Sequence, residues 1–104
     1  MGLLHTVNKS PFGSNTLDSC LNYALDGSTV LLIEDGVYAA TTGTGVADKI
    51  QQSMQGADGV KFAVLGPDLQ ARGLENKLAE GIKVVDYEGF VNLVAEHDSV
   101  QSWL

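Results

Sequence analysis

One cysteine, two prolines, one tryptophan and six basic residues are spread over the 104 residues of this chain, and each shortage excludes something. Cys20 alone allows no internal disulfide and no multi-cysteine zinc site. His5 and His97 stand at opposite ends of the sequence and do not complete a metal set with it, so no metal is expected. The cations Lys9, Lys49, Lys61, Arg72, Lys77 and Lys83 are scattered among 13 acidic residues, which leaves a net charge of −7. No basic stripe exists to neutralise phosphates or to seek an anionic lipid surface, so neither direct nucleic-acid binding nor membrane binding is expected. Long apolar runs are missing too. Stretches such as Val30-Leu31-Leu32-Ile33 fall far below the roughly 20 residues that cross a bilayer. The start, Met1 to His5, has no basic region of the kind a signal peptide carries, and a cytoplasmic, reducing setting is the expectation. Charged residues amount to only 18%, against roughly 25% in an average soluble domain, while hydrophobic residues reach 44%. A surface short of charge is a surface partly meant to be covered.

What is present has a clear order. Leu3 to Val7, Thr29 to Ile33, Val60 to Leu65 and Ile82 to Val85 are aliphatic or β-branched runs bounded by Gly, Asp, Asn or Pro. Their weak alternation predicts strands buried on both faces. Helical segments fall between them. Asn15 or Thr16 starts one that runs to about Leu25 and stops at Asp26-Gly27. Val46, Ile50 and Met54 recur every four residues in a second, Pro67 opens a third that ends near Gly73, and Asp86 precedes a fourth with Phe90, Leu93, Val94 and His97 on one face. The alternation predicts one domain over residues 1–104, a three-layer α/β/α sandwich around a small, mostly parallel sheet. Two bare sheet edges and few charges to blunt them point to assembly. Functional groups of such sheets gather at the strands' carboxyl ends, here Asn8-Lys9-Ser10, Glu34-Asp35-Gly36, Gly66-Pro67-Asp68 and Asp86-Tyr87.

The candidate sites compete with plainer roles. Gly43-Thr44-Gly45 lacks the third glycine and the Gly-Lys-Ser/Thr ending of phosphate loops, so it reads as a loop before a helix. Glu34, Asp35 and Asp86 have no cation beside them in sequence; Asp35 and Asp86 read as caps of following helices. His5, inside the first strand, reads as a buried hydrogen-bonding group, and His97 as a partner of its helix's C-terminal dipole. Trp103, near a terminus that would otherwise be polar, reads as an anchor on the chain's own core or on a partner. Cys20 stays open between two roles. Its spacing with Leu17, Leu21 and Ala24 marks a core position, while the nearby helix N-terminus favours a thiolate with a pKa somewhat below the free value near 8.5.

His5-Thr6-Val7-Asn8-Lys9-Ser10-Pro11-Phe12, Leu32 through Ala40 (Leu-Ile-Glu-Asp-Gly-Val-Tyr-Ala-Ala), Leu65 through Gly73 (Leu-Gly-Pro-Asp-Leu-Gln-Ala-Arg-Gly), Val85 through Val91 (Val-Asp-Tyr-Glu-Gly-Phe-Val) and the closing Gln-Ser-Trp-Leu, in that order, resemble the DsrH/TusB family. The likeness leans toward DsrH through Cys20, Asn8-Lys9, Gly66-Pro67 and the ending. It implies a cytoplasmic subunit of a sulfur-relay (sulfurtransferase) complex, assembled with DsrE-like and DsrF-like homologous subunits as a 2:2:2 heterohexamer that exchanges sulfur with sulfur-carrier proteins. In the DsrEFH setting such a complex handles persulfide sulfur in dissimilatory sulfur oxidation; in the TusBCD setting it delivers sulfur for 2-thiouridine in tRNA. The resemblance places the principal acceptor cysteine on a partner and leaves Cys20 as an auxiliary persulfide carrier, or the chain as a purely structural subunit. Neither role needs a cofactor or a metal, because relay requires only a thiolate that attacks a persulfide's outer sulfur and later surrenders it.

Overall fold

The computed structural model describes residues 3–24, 27–55 and 59–103. The four apolar runs form strands β1 (Leu3–Val7), β2 (Thr29–Leu32), β3 (Lys61–Leu65) and β4 (Lys83–Val85), with the last two starting one residue later than their composition suggests. Helices α1 (Thr16–Tyr23), α2 (Gly45–Ser53), α3 (Gly66–Ala71) and α4 (Tyr87–Glu96) occupy the four expected places. Where the sequence suggested a fourth and last strand, the structure adds a fifth: β5 (Ser99–Trp103) pairs parallel with β1. The sheet order is β4-β3-β2-β1-β5, and every pairing is parallel.

This order decides which face each helix covers. From β1 to β4 the chain steps one strand at a time in the same direction, and right-handed crossovers therefore put α1, α2 and α3 on one face. The final connection runs back from β4 to β5 at the far edge, so α4 lands on the opposite face. The core divides accordingly. Val7, Val30, Leu32, Phe62 and Val64 face the first layer with Leu17, Cys20, Ile50 and Leu69 from its helices. Leu4, Leu31, Ala63, Leu65 and Val85 face the second, with Phe90 and Leu93 of α4 packed on them. Three-layer α/β/α architecture follows from one long return crossover.

Several local expectations change. Between β2 and α2 the chain makes a 3-10 helical segment, Glu34–Ala40, which holds Gly36 against β1: a Cβ on Gly36 would lie 2.1 Å from the Val7 carbonyl oxygen. Asn15 sits at the N-cap of α1 but makes no cap bond with its side chain; Ser14 Oγ accepts from the Thr16 N–H at 3.2 Å instead. Helix α1 ends at Tyr23, because Ala24 is already extended; the expected stop at Asp26, and all but the last residue of the loop that composition marks from Gly56 to Gly59, lie outside the described residues. Asp86 caps α4 as expected, accepting from the Gly89 N–H at 2.7 Å, and Thr44, read only as part of a loop, caps α2 by accepting from the Ala47 N–H at 3.3 Å.

Candidate functional site

Helix α1 is amphipathic, and its inward stripe carries Leu17 and Cys20 into the first core layer. Cys20 is the fifth residue of the helix and is 0% exposed. Burial pushes its thiol from an ordinary value of 9.0 up to about 12, by desolvating the thiolate. This corrects the expectation of a dipole-lowered pKa. The dipole acts mainly within the first turn, whereas the sulfur lies beyond it and is wrapped by apolar side chains, so desolvation wins. The spacing that marked a core position for Cys20 was the better guide.

The C-terminal strand builds a second feature beside it. Trp103 stands opposite Val7 in the β1–β5 register, and its indole Nε1–H donates to His5 Nδ1 at 3.0 Å. The two ring centroids are 6.1 Å apart, and the Tyr23 ring meets Trp103 edge-on at 5.9 Å. On the other side of the same strand pair Thr6 Oγ1 donates to Ser102 Oγ at 3.3 Å. His5 thus makes the buried hydrogen bond expected of it, and Trp103 anchors on the chain's own core. Because Nδ1 accepts, the proton of the neutral ring resides on Nε2, which is buried without a partner. Burial lowers the His5 pKa and keeps the ring neutral.

At the carboxyl ends of β2 and β3 the fold brings together groups the sequence kept apart. Arg72, which ends α3, donates from Nε and Nη2 to Asp35 Oδ1 at 3.1 and 2.9 Å and from Nη1 to the Asp68 carbonyl at 3.1 Å. Asp68 Oδ2 accepts from the Glu34 N–H at 2.8 Å, holding Glu34 at a φ of +50°. Asp35 is therefore an ion-pair partner and not the helix cap expected of it. With its guanidinium already engaged, the cluster ties the 3-10 segment to α3 and leaves no free acid–base pair. His97 closes the opposite end: Nδ1 lies 2.6 Å from the Leu93 carbonyl of its own helix and Nε2 lies 3.1 Å from Thr29 Oγ1. Among the described residues no three His, Cys, Asp or Glu side chains are grouped to hold a metal ion, and no helix is long and apolar enough to cross a membrane.

A small, all-parallel five-stranded sheet between helical layers, with its one cysteine buried, defines a class of three-layer α/β/α domain. The comparisons give that class a family. The DsrH like protein family matches residues 9–100, and the chain belongs to it. Protein TusB of Pectobacterium parmentieri is 33% identical over 101 residues, covering 97% of this chain and 100% of that protein. Protein TusB of Escherichia coli (strain K12) is 34% identical over the same shares. Among solved structures, the ychN protein from E. coli superposes with a TM-score of 0.80 at 18% identity, over 98% of each chain. MTH1491 from Methanobacterium thermoautotrophicum gives 0.67 at 16% identity, over 95% of this chain and 96% of that one. At these identities the two structures speak for the fold alone.

Proposed function

We propose that this chain is an assembly subunit of a sulfur-relay complex, which positions a partner's acceptor cysteine and carries no sulfur itself. The observation that carries the proposal is the state of its one cysteine: Cys20 is fully buried and its thiol is pushed up to about 12. A thiol in that state supplies almost no thiolate near neutral pH, and thiolate is the attacking species in persulfide exchange. Family membership over nearly the whole chain supports the sulfur-relay setting, with homologous DsrE-like and DsrF-like subunits as partners in a 2:2:2 heterohexamer. The full-length relatives carry the name TusB, which favours the branch that delivers sulfur toward tRNA 2-thiouridine over the DsrEFH oxidative branch.

The test is sulfur transfer by the reconstituted complex with Cys20→Ala in place of the natural subunit. Relay at the wild-type rate, with Cys20 resisting alkylation until the complex is denatured, is the expected result. Loss of transfer in the variant, together with rapid labelling of Cys20 in the native complex, overturns the scaffold role and makes Cys20 the auxiliary persulfide carrier.

A further inference from the structure

Helix α4 is apolar on two flanks, although its place in the fold uses only one. Phe90 and Leu93 pack on the second core layer. Tyr87, Val91 and Val94, spaced i, i+4 and i+7, form a second stripe that is 61%, 66% and 41% exposed. At about 100° per residue this stripe lies roughly 100° around the helix from the buried one. The opposite flank is accounted for: Gly89, Asn92 and Glu96 border a groove of about 620 Å³ against β4 residues Lys83 and Val85. The apolar stripe therefore turns the other way, over the β1–β5 side of the sheet.

Sheet geometry leaves that side underdressed. Five strands span about 19 Å from first to last at a spacing of about 4.8 Å, while one helix with its side chains is only about 10–12 Å across. The shortfall appears at β5, where Val100, on the α4 face by its register with Leu4, is 42% exposed. Exposed apolar groups on α4 and on β5 share one face of the molecule.

Charge selects what covers them. Between Asp86 and Asp98 stand four carboxylates (Asp86, Glu88, Glu96, Asp98) and no lysine or arginine, and strands β1 and β5 supply no cation. His97, the one group of the segment that can become a cation, points inward onto Leu93 and Thr29. A second copy, again −7 and again acidic along α4, would bring like charges together across the contact. We infer that the Tyr87/Val91/Val94 stripe of α4, with Val100 of β5, docks an amphipathic helix of a different subunit whose apolar face is flanked by lysine or arginine. This rests on the reading that the chain works inside a multi-subunit complex and identifies which face enters it and the chemistry that face requires.

The experiment co-expresses the full chain with the DsrE-like and DsrF-like subunits of the same organism and measures their association by light scattering and titration. Val91→Asp, at an exposed site that the fold does not need, is expected to weaken association at least tenfold with an unchanged unfolding midpoint. Glu88→Lys, beside the stripe, is expected to weaken it several-fold and to flatten its salt dependence, while Val84→Asp on the other face changes nothing. If the wild-type chain binds and Val91→Asp binds equally well, the docking face is refuted and the complex stands. If the chain alone forms a dimer that Val91→Asp dissolves, a second copy is the occupant and the inference is overturned. If the wild-type chain binds neither subunit, the complex itself is refuted and the inference falls with it.

Discussion

Cys20 shows how a single position weighs burial against the helix dipole. The dipole's contribution near a helix N-terminus is worth about 0.3–1 kcal/mol, whereas raising a thiol from 9.0 to about 12 is a much larger effect of opposite sign. The consequence for stability has a definite direction. Below pH 9 the thiol is protonated in the folded and unfolded chains alike, and the advantage of burying it neutral is fully present. As pH rises from 9 toward 12 the unfolded chain releases this proton and the folded chain does not, so stability falls by about 1.4 kcal/mol per pH unit. Other alkaline titrations are common to the wild type and to Cys20→Ala and cancel in the difference. Urea midpoints at pH 8 and pH 10.5 are therefore expected to show a wild-type advantage that shrinks between the two. A pH-independent difference would mean that the sulfur ionises in the fold, which returns it to the list of reactive thiols.

At the scale of elements, strand β5 separates what composition reveals from what pairing decides. The first four strands were legible because parallel strands buried between two helical layers must be apolar nearly throughout, and Val30 to Leu32 or Phe62 to Leu65 have few other uses. Ser99-Val100-Gln101-Ser102-Trp103 carries no such mark, since this edge strand buries only its Trp103 ring, and that in part, and is otherwise held by its backbone ladder to β1 and by two side-chain bonds. Trp103 gave the only hint, as an anchor without a strand. The same limit hid the pairing of Arg72 with Asp35, residues 37 positions apart that meet only once α3 is laid beside the 3-10 segment. Helix capping by Asp86 was legible because it is local. The anchor has a measurable worth. Trp103→Phe keeps the ring and deletes the indole donor, leaving the His5 Nδ1 acceptor buried and unpaired at a cost of about 1–3 kcal/mol. His5 sets the pH dependence of that element. Its lowered pKa means that its contribution is fully present above the ordinary value of 6.5 and is lost as pH falls below it, when the unfolded chain takes up a proton the folded one refuses. The protection factors of the β5 amides, referred to the intrinsic exchange rate at each pH, are expected to fall in Trp103→Phe at pH 7 and, in the wild type, between pH 6.5 and 5. Protection of β5 equal to that of β2 under both conditions would show that the ladder alone holds the strand.

For the whole molecule the governing quantity is a net charge of −7 on a body only 32 × 28 × 25 Å. At an ionic strength of 10 mM the Debye length is about 30 Å, so every carboxylate feels every other across the full width of the chain. At 150 mM it is about 8 Å, and only neighbours remain coupled. Screening thus relieves self-repulsion in the folded state. Ion pairs such as Lys49–Asp18 and Arg72–Asp35 are weakened by the same salt, but both of these reach exposed carboxylates, where a pair is worth at most about 1 kcal/mol. Repulsion among the excess acids outweighs them. The thermal unfolding midpoint of the isolated chain is therefore expected to rise by a few degrees between 10 and 150 mM NaCl. Association through the acidic α4 face runs the opposite way, because salt screens the attraction between its carboxylates and a partner's cations. Scanning calorimetry on the free chain and titration of the assembled one over the same salt range should give slopes of opposite sign. A free chain that loses stability with salt would show that its paired charges dominate, and a complex that tightens with salt would show an interface held by apolar contact without charge complementarity.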